Sequence, residues 1–172
     1  KESRTTLTPR LFYLHTTRNE DIDVPLFDTK VRTIRAGNWF SDSLINGYDR
    51  LTEEHRAIAA LQINHVSDTL EAEAQIAYMS FLDEPQDPLL RSTLAYQTDE
   101  LIGLDAKVRF SQALSANFDV VSDAKSGDLL SQFIELQWRG ASTNILSVGY
   151  SNNDSFISRE QIHLSGTYRL TS

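Results

Sequence analysis

The chain has 172 residues, no cysteine and a formal net charge of −8, from 24 acidic against 16 basic side chains. That balance argues against a basic nucleic-acid-binding face, and the missing thiols exclude disulfides, thiolate nucleophiles and cysteine-based zinc sites within these residues. Mean hydropathy is −0.34 and no window approaches the ~18 consecutive apolar residues of a membrane helix, whereas a membrane β-barrel stays open because its alternating strands never raise local hydropathy that far.

The first residues, Lys1-Glu2-Ser3-Arg4-Thr5, carry no charged-then-apolar leader and already read as strand, as a cut inside a larger protein would. Thr5 to His15 (TTLTPRLFYLH) is rich in Thr, Leu and aromatics and predicts a strand. Pro9 supplies no ladder donor, so it belongs at an edge, a bulge or the sheet margin. A long connection follows, from Thr16 to about Glu54, longer than a compact soluble domain usually leaves without structure. Its acidic cluster Glu20, Asp21 and Asp23 lacks the Gly and closing Glu of an EF-hand and reads as solvated loop charge. Near its end, WFSDSLINGYDRL mixes Trp39, Phe40, Leu44, Ile45 and Tyr48 with polar residues at no regular period. That composition predicts a loop that folds back and packs.

Alternation then dominates. From about His55 to Val66, Ala57, Ala59, Leu61 and Ile63 oppose Gln62 and Asn64; over Glu71–Leu82, Ala72, Ala74, Ile76 and Tyr78 oppose Glu73 and Gln75. A helix would scatter these apolar groups around its circumference, so the period of two decides for strands. DEPQDP breaks the chain after Leu82, and the stretch up to Glu100 has no clear pattern. Leu101–Phe110 places Leu104, Ala106, Val108 and Phe110 opposite Asp105, Lys107 and Arg109, the sharpest contrast in the sequence. Leu114–Ser122, Leu129–Trp138, Thr143–Ser151 and Glu160–Leu170 repeat the pattern between short turns.

Chemistry has few footholds. His15, His55, His65 and His163 show no metal-binding spacing, and no P-loop, GxSxG elbow or GxGxxG occurs. Ser41, Asp49 and His55 lie near one another in sequence, but nothing marks the serine as activated. Glu71 and Glu73 flank a strand position and do not face each other across a cleft. The expectation is a non-enzyme without cofactor or metal.

The count is about eight strands of about nine to eleven residues, the length that a tilted strand needs to cross a bilayer. Short turns alternate with longer connections, as in a membrane barrel with tight periplasmic turns and longer outer loops. Aromatics near strand ends (Tyr78, Phe110, Trp138, Tyr150, Tyr168) fit an interfacial girdle. The expected fold class is all-β, an antiparallel up-and-down transmembrane β-barrel segment. Three rivals remain: a self-contained small eight-stranded barrel, a lipocalin-like binding module whose cavity should be apolar, and a barrel-embedded hydrolase. Pairing of Thr5–His15 with Glu160–Leu170 would mark the small closed barrel.

Two stretches go further. TLTPRLFYLH, followed by Val24-Pro25-Leu26-Phe27-Asp28-Thr29, resembles TLEPRLFYLY…IPxFDT of the outer-membrane lipopolysaccharide-assembly family LptD, also called organic solvent tolerance protein. WFSDSLINGYDRL resembles that family's LFRDxxFxGxDRI through Phe40, Asp42, Ile45, Gly47, Asp49 and Arg50. Thr8 and Ser41 depart from the usual Glu and Arg, as in a divergent branch. A looser likeness covers nearly the whole chain. The resemblance implies an internal block, over residues 1–172, of the large C-terminal outer-membrane barrel, with residues 16–54 as an extracellular loop. It further implies a non-enzymatic translocon for lipopolysaccharide, plugged by the lipoprotein LptE and fed by the bridge protein LptA through a jellyroll domain absent here. On that view Pro9, Arg10, Pro25, Phe27, Asp28, Phe40, Asp42, Gly47, Asp49 and Arg50 are motif positions of structural weight. Asp105, Lys107, Arg109, Glu135 and Arg169 would line the lumen, and Leu104, Ala106, Val108 and Phe110 would meet outer-membrane lipid.

Overall fold

Alternating sequence becomes ladder. The computed structural model describes residues 3–17, 30–46, 53–84, 90, 97–140, 144–153 and 159–168. Its strands are β1 (Arg4–Thr16), β2 (Lys30–Val31), β3 (Ile45–Asn46), β4 (Glu54–Val66), β5 (Glu71–Phe81), β6 (Glu100–Arg109), β7 (Leu114–Asp123), β8 (Leu129–Arg139), β9 (Ile145–Asn153) and β10 (Arg159–Thr167). The strands β1-β4-β5-β6-β7-β8-β9-β10 form one antiparallel up-and-down sheet in that order, and β2 with β3 makes a small ribbon inside the first long connection. β1 and β10 stand at opposite ends, and no ladder joins them among the described residues. The sheet is therefore an open segment, consistent with part of a larger barrel. Pro9, which gives no ladder donor, sits within β1 opposite Leu61 of β4.

The ends of the sheet differ. Residues 67–70 and 110–113 make short turns at one end, where β8 also ends and β9 begins, while 124–128 makes a turn at the other, where β1 ends and β4 begins. Local side chains close these turns: Ser111 Oγ accepts from the N–H groups of Ala113 and Leu114 at 3.2 and 3.1 Å. Asp123 Oδ1 accepts from Lys125 and Ser126 at 2.7 and 3.0 Å. Gly127 follows at φ 79°, a left-handed conformation that a side chain would strain. Phe110 belongs to a turn, so its strand ends one residue earlier than alternation predicts.

Register makes the two faces unlike. One row runs Leu7–Ile63–Ala74–Ala106–Phe118–Ile134–Tyr150–Ile162 across all eight strands without a charged group. The adjacent row, on the other face because side chains alternate, runs Thr6–Asn64–Glu73–Lys107–Asn117–Glu135–Gly149–His163. Large apolar side chains on the first face stay exposed, Leu11 at 86% and Ile162 at 80% among them. The buried core lies on the second face, beneath residues from the long connection.

Candidate functional site: the strapped face of the sheet

Residues 32–44 cross the second face as a strap. Its ends are drawn together by the β2–β3 ribbon and by the Arg32 N–H donating to the Leu44 carbonyl at 3.0 Å. Between them, Ala36–Asn38 forms a single 3-10 turn, with the Trp39 N–H donating to the Ala36 carbonyl. Ile34, Ala36, Trp39 and Leu44 are then buried in one core with Ile58, Ala77, Met79, Phe81, Leu90, Leu101 and Val121. At ~1.5–3 kcal/mol for each of Ile34, Trp39 and Leu44, that burial contributes on the order of 5 kcal/mol or more toward holding the strap down.

Gly103 is the seat. A Cβ there would stand 2.6 Å from Ala36 Cβ and 2.8 Å from Trp39 Cη2, so only a bare backbone lets the strap approach.

Charge is clamped below the strap. Glu54 and Arg56 are both fully buried, with Arg56 Nε 3.3 Å from Glu54 Oε2. Glu54 Oε1 accepts the Leu44 N–H at 3.3 Å, and the Arg56 guanidinium donates to the Ser41 carbonyl. A buried ion pair is costly unless its remaining hydrogen bonds are met, and here the strap backbone meets two of them. On one flank the Arg10 guanidinium lies 3.9 Å from the centre of the Phe40 ring and donates to Gln75 at 2.8 Å. Phe40 also meets Phe12 edge-on at 6.0 Å. On the other flank Arg35 lies 3.9 Å above Phe133. The Gly37 N–H donates to Asp119 Oδ2 at 3.3 Å, beside Asp105, the cross-strand partner of Asp119. Asp119 is 3% exposed, and its Oδ1, like Trp39 Nε1, has no protein partner among the described residues.

Nearer the short turns the same face is polar. Arg109 pairs with Glu71, and His163 Nε2 lies 3.6 Å from Glu135 while its ring stacks on Phe133. Asp105, Lys107, Arg109 and Glu135 all belong to this face by register. Among the motif residues, Arg10 and Phe40 are brought together, Pro9 is exposed on the opposite face, and Asp42 is exposed on the strap. Pro25, Phe27, Asp28, Gly47, Asp49, Arg50 and Arg169 lie outside the described residues. Ser41 Oγ donates to the Asn38 and Ser43 carbonyls, whereas His55 bonds to Asp83 and to the Tyr13 hydroxyl, so that serine and histidine are not joined. Sequence reasoning missed Glu54, Arg56, Gly103 and Asp119. The available signal was the loss of clean alternation toward the long-loop ends of β5, β6 and β7.

The whole of this architecture falls within one family. The family model for LptD, LPS transport system D, matches residues 1–172. The chain belongs to the LptD family. The LPS-assembly protein LptD of Francisella tularensis subsp. holarctica (strain OSU18) is 26% identical over 174 residues, covering 91% of this chain and 20% of that protein. That of Burkholderia pseudomallei (strain K96243) is 26% identical over 177 residues, covering 96% of this chain and 22% of that protein. A shorter match to LptD of Pseudomonas syringae pv. syringae (strain B728a) reaches 39% identity over 56 residues, 33% of this chain and 6% of that protein. The chain thus spans about a fifth of the length of the first two LptD relatives.

Proposed function

We propose that the chain forms wall and interior of an outer-membrane translocon that delivers lipopolysaccharide to the cell surface, without catalysing a reaction. The observation that carries this is the pairing of two rows one residue apart. An uncharged row crosses eight strands on one face, and a row with Glu73, Lys107, Glu135 and His163 crosses them on the other. In a bilayer the first would meet acyl chains, where a charge is expensive, and the second would meet water and the sugar portion of the cargo. The strap and the longer connections would lie toward the outer mouth, and the short turns toward the periplasm. LptE as plug and LptA as supplier belong to this reading as partners of the whole protein. A self-contained small barrel fits less well, because β1 and β10 share no ladder among the described residues.

Single cysteines test it. In outer membranes of cells making the protein at full length, Lys107→Cys should react with a water-soluble maleimide at least tenfold faster than Ala106→Cys. Depletion of the protein should lower surface lipopolysaccharide. Equal labelling of the two positions would overturn the assignment of faces, and unchanged surface lipopolysaccharide would overturn the transport role.

A further inference from the structure

We propose that residues 32–44 are a fixed strut of the barrel interior and not a lid that lifts when cargo passes. This rests on the translocon reading above and adds which part of the wall the cargo can use. A lid is drawn from the low-stability end of a fold, with few buried contacts. This segment has the opposite properties. Its buried side chains pack across four successive strands, from Ile58 on β4 through Met79 on β5 and Leu101 on β6 to Val121 on β7. Its two ends are tied to each other through β2 and β3 and the Arg32–Leu44 hydrogen bond, so the segment is closed on itself as one compact unit. Its backbone supplies partners to a fully buried ion pair, so lifting breaks the Leu44–Glu54 and Ser41–Arg56 bonds together. Its turn rests directly on Gly103, with Ala36 and Trp39 filling the space a side chain would take. The long-loop part of this face is therefore closed to cargo, which is left the polar row through Glu73, Lys107 and Asn117.

The test is a tether in the full-length protein in its native membrane. A Cβ at Gly37 would lie 3.3 Å from Asp105 Cγ, the place a cysteine sulfur would occupy, so Gly37→Cys with Asp105→Cys should cross-link in the oxidising envelope. The strut reading expects the disulfide to form without added oxidant and surface lipopolysaccharide to stay within twofold of either single variant. It is overturned if tethered cells lose surface lipopolysaccharide tenfold and a reductant restores it. It is equally overturned if both single variants are produced yet no cross-link forms. A readout independent of transport is maleimide labelling of Ile34→Cys, expected at least tenfold slower than Asp42→Cys in actively growing cells; equal rates mean that the strap lifts. Because labelling and cross-linking do not depend on cargo, they stand or fall separately from the depletion experiment that tests the translocon reading.

Discussion

Trp39 rests on Gly103, its ring edge filling the volume that a side chain on β6 would claim. Gly103→Ala should therefore force the strap outward, since the new Cβ would meet Ala36 and Trp39 well inside contact distance. Overpacking of this kind costs ~1–3 kcal/mol. The expected result is a lower urea midpoint and faster protease cleavage within residues 32–44, and an unchanged midpoint would disprove the seat.

Arg56→Ala should be strongly destabilising, because it removes a fully buried guanidinium that pairs with Glu54 and donates to the Ser41 carbonyl of the strap. Removing one partner of a buried pair costs about 3–5 kcal/mol, whereas replacing both by uncharged groups of like size is often close to neutral. Equilibrium unfolding of Arg56→Met, Glu54→Gln and the double variant should show the double variant recovering most of the loss. Additive losses would argue that the pair is not coupled.

How far these features were legible in the sequence differs by feature. Seven of the eight long strands followed from alternation and the first from its Thr, Leu and aromatic content; in the fold one face carries Leu7, Ile63, Phe118 and Ile162 with nothing charged among them. The docking of Trp39, Phe40 and Leu44 followed only in outline, as a loop that packs on something. What it packs on was hidden. Alternation assigns the second face to polar groups, yet Ile58, Ala77, Met79, Phe81, Leu101 and Val121 share that face at its long-loop end. Runs such as Ile76–Phe81 and Asp119–Val121 lose their period because both faces are apolar or covered there, and a single chain does not say what covers them. The contact of Arg10 with Phe40 joins two motifs distant in sequence, a pairing that spacing alone cannot give.

Leu104→Arg should hinder membrane insertion, costing about 2–4 kcal/mol at bilayer mid-depth, while Lys107→Gln should change stability by less than ~0.5 kcal/mol. Folded fraction in vesicles, read by heat-modifiable migration on gels, separates the two. A Leu104→Arg variant that folds as well as the parent would mean that this face does not meet lipid.

In the 124–128 turn, the Lys125 ammonium sits 3.2 Å from Asp99, a hydrogen bond that holds its pKa above the ordinary lysine value. A raised folded-state value stabilises fully below the unfolded pKa of about 10.4 and is lost as pH rises through the folded one. The pair is exposed and salt-screened, so any change in stability should be small and confined to alkaline pH. NMR titration of Lys125 should give a value that falls when Asp99 is replaced by Asn. A value unmoved by Asp99→Asn would exclude the pair as the cause.

The seat at Gly103 also ties the strap to the register of the sheet. The strap lies between β1 and β4 in the chain, yet it docks on residues of β6 and β7 that come well after it in sequence. A slip of one residue in β6 exchanges the faces of that strand and would present Ile102 or Leu104 where the bare glycine belongs. The indole would then have nowhere to land. The docking seen here therefore requires β4 to β7 to be in register with one another, so a seated strap and a correctly aligned sheet imply each other.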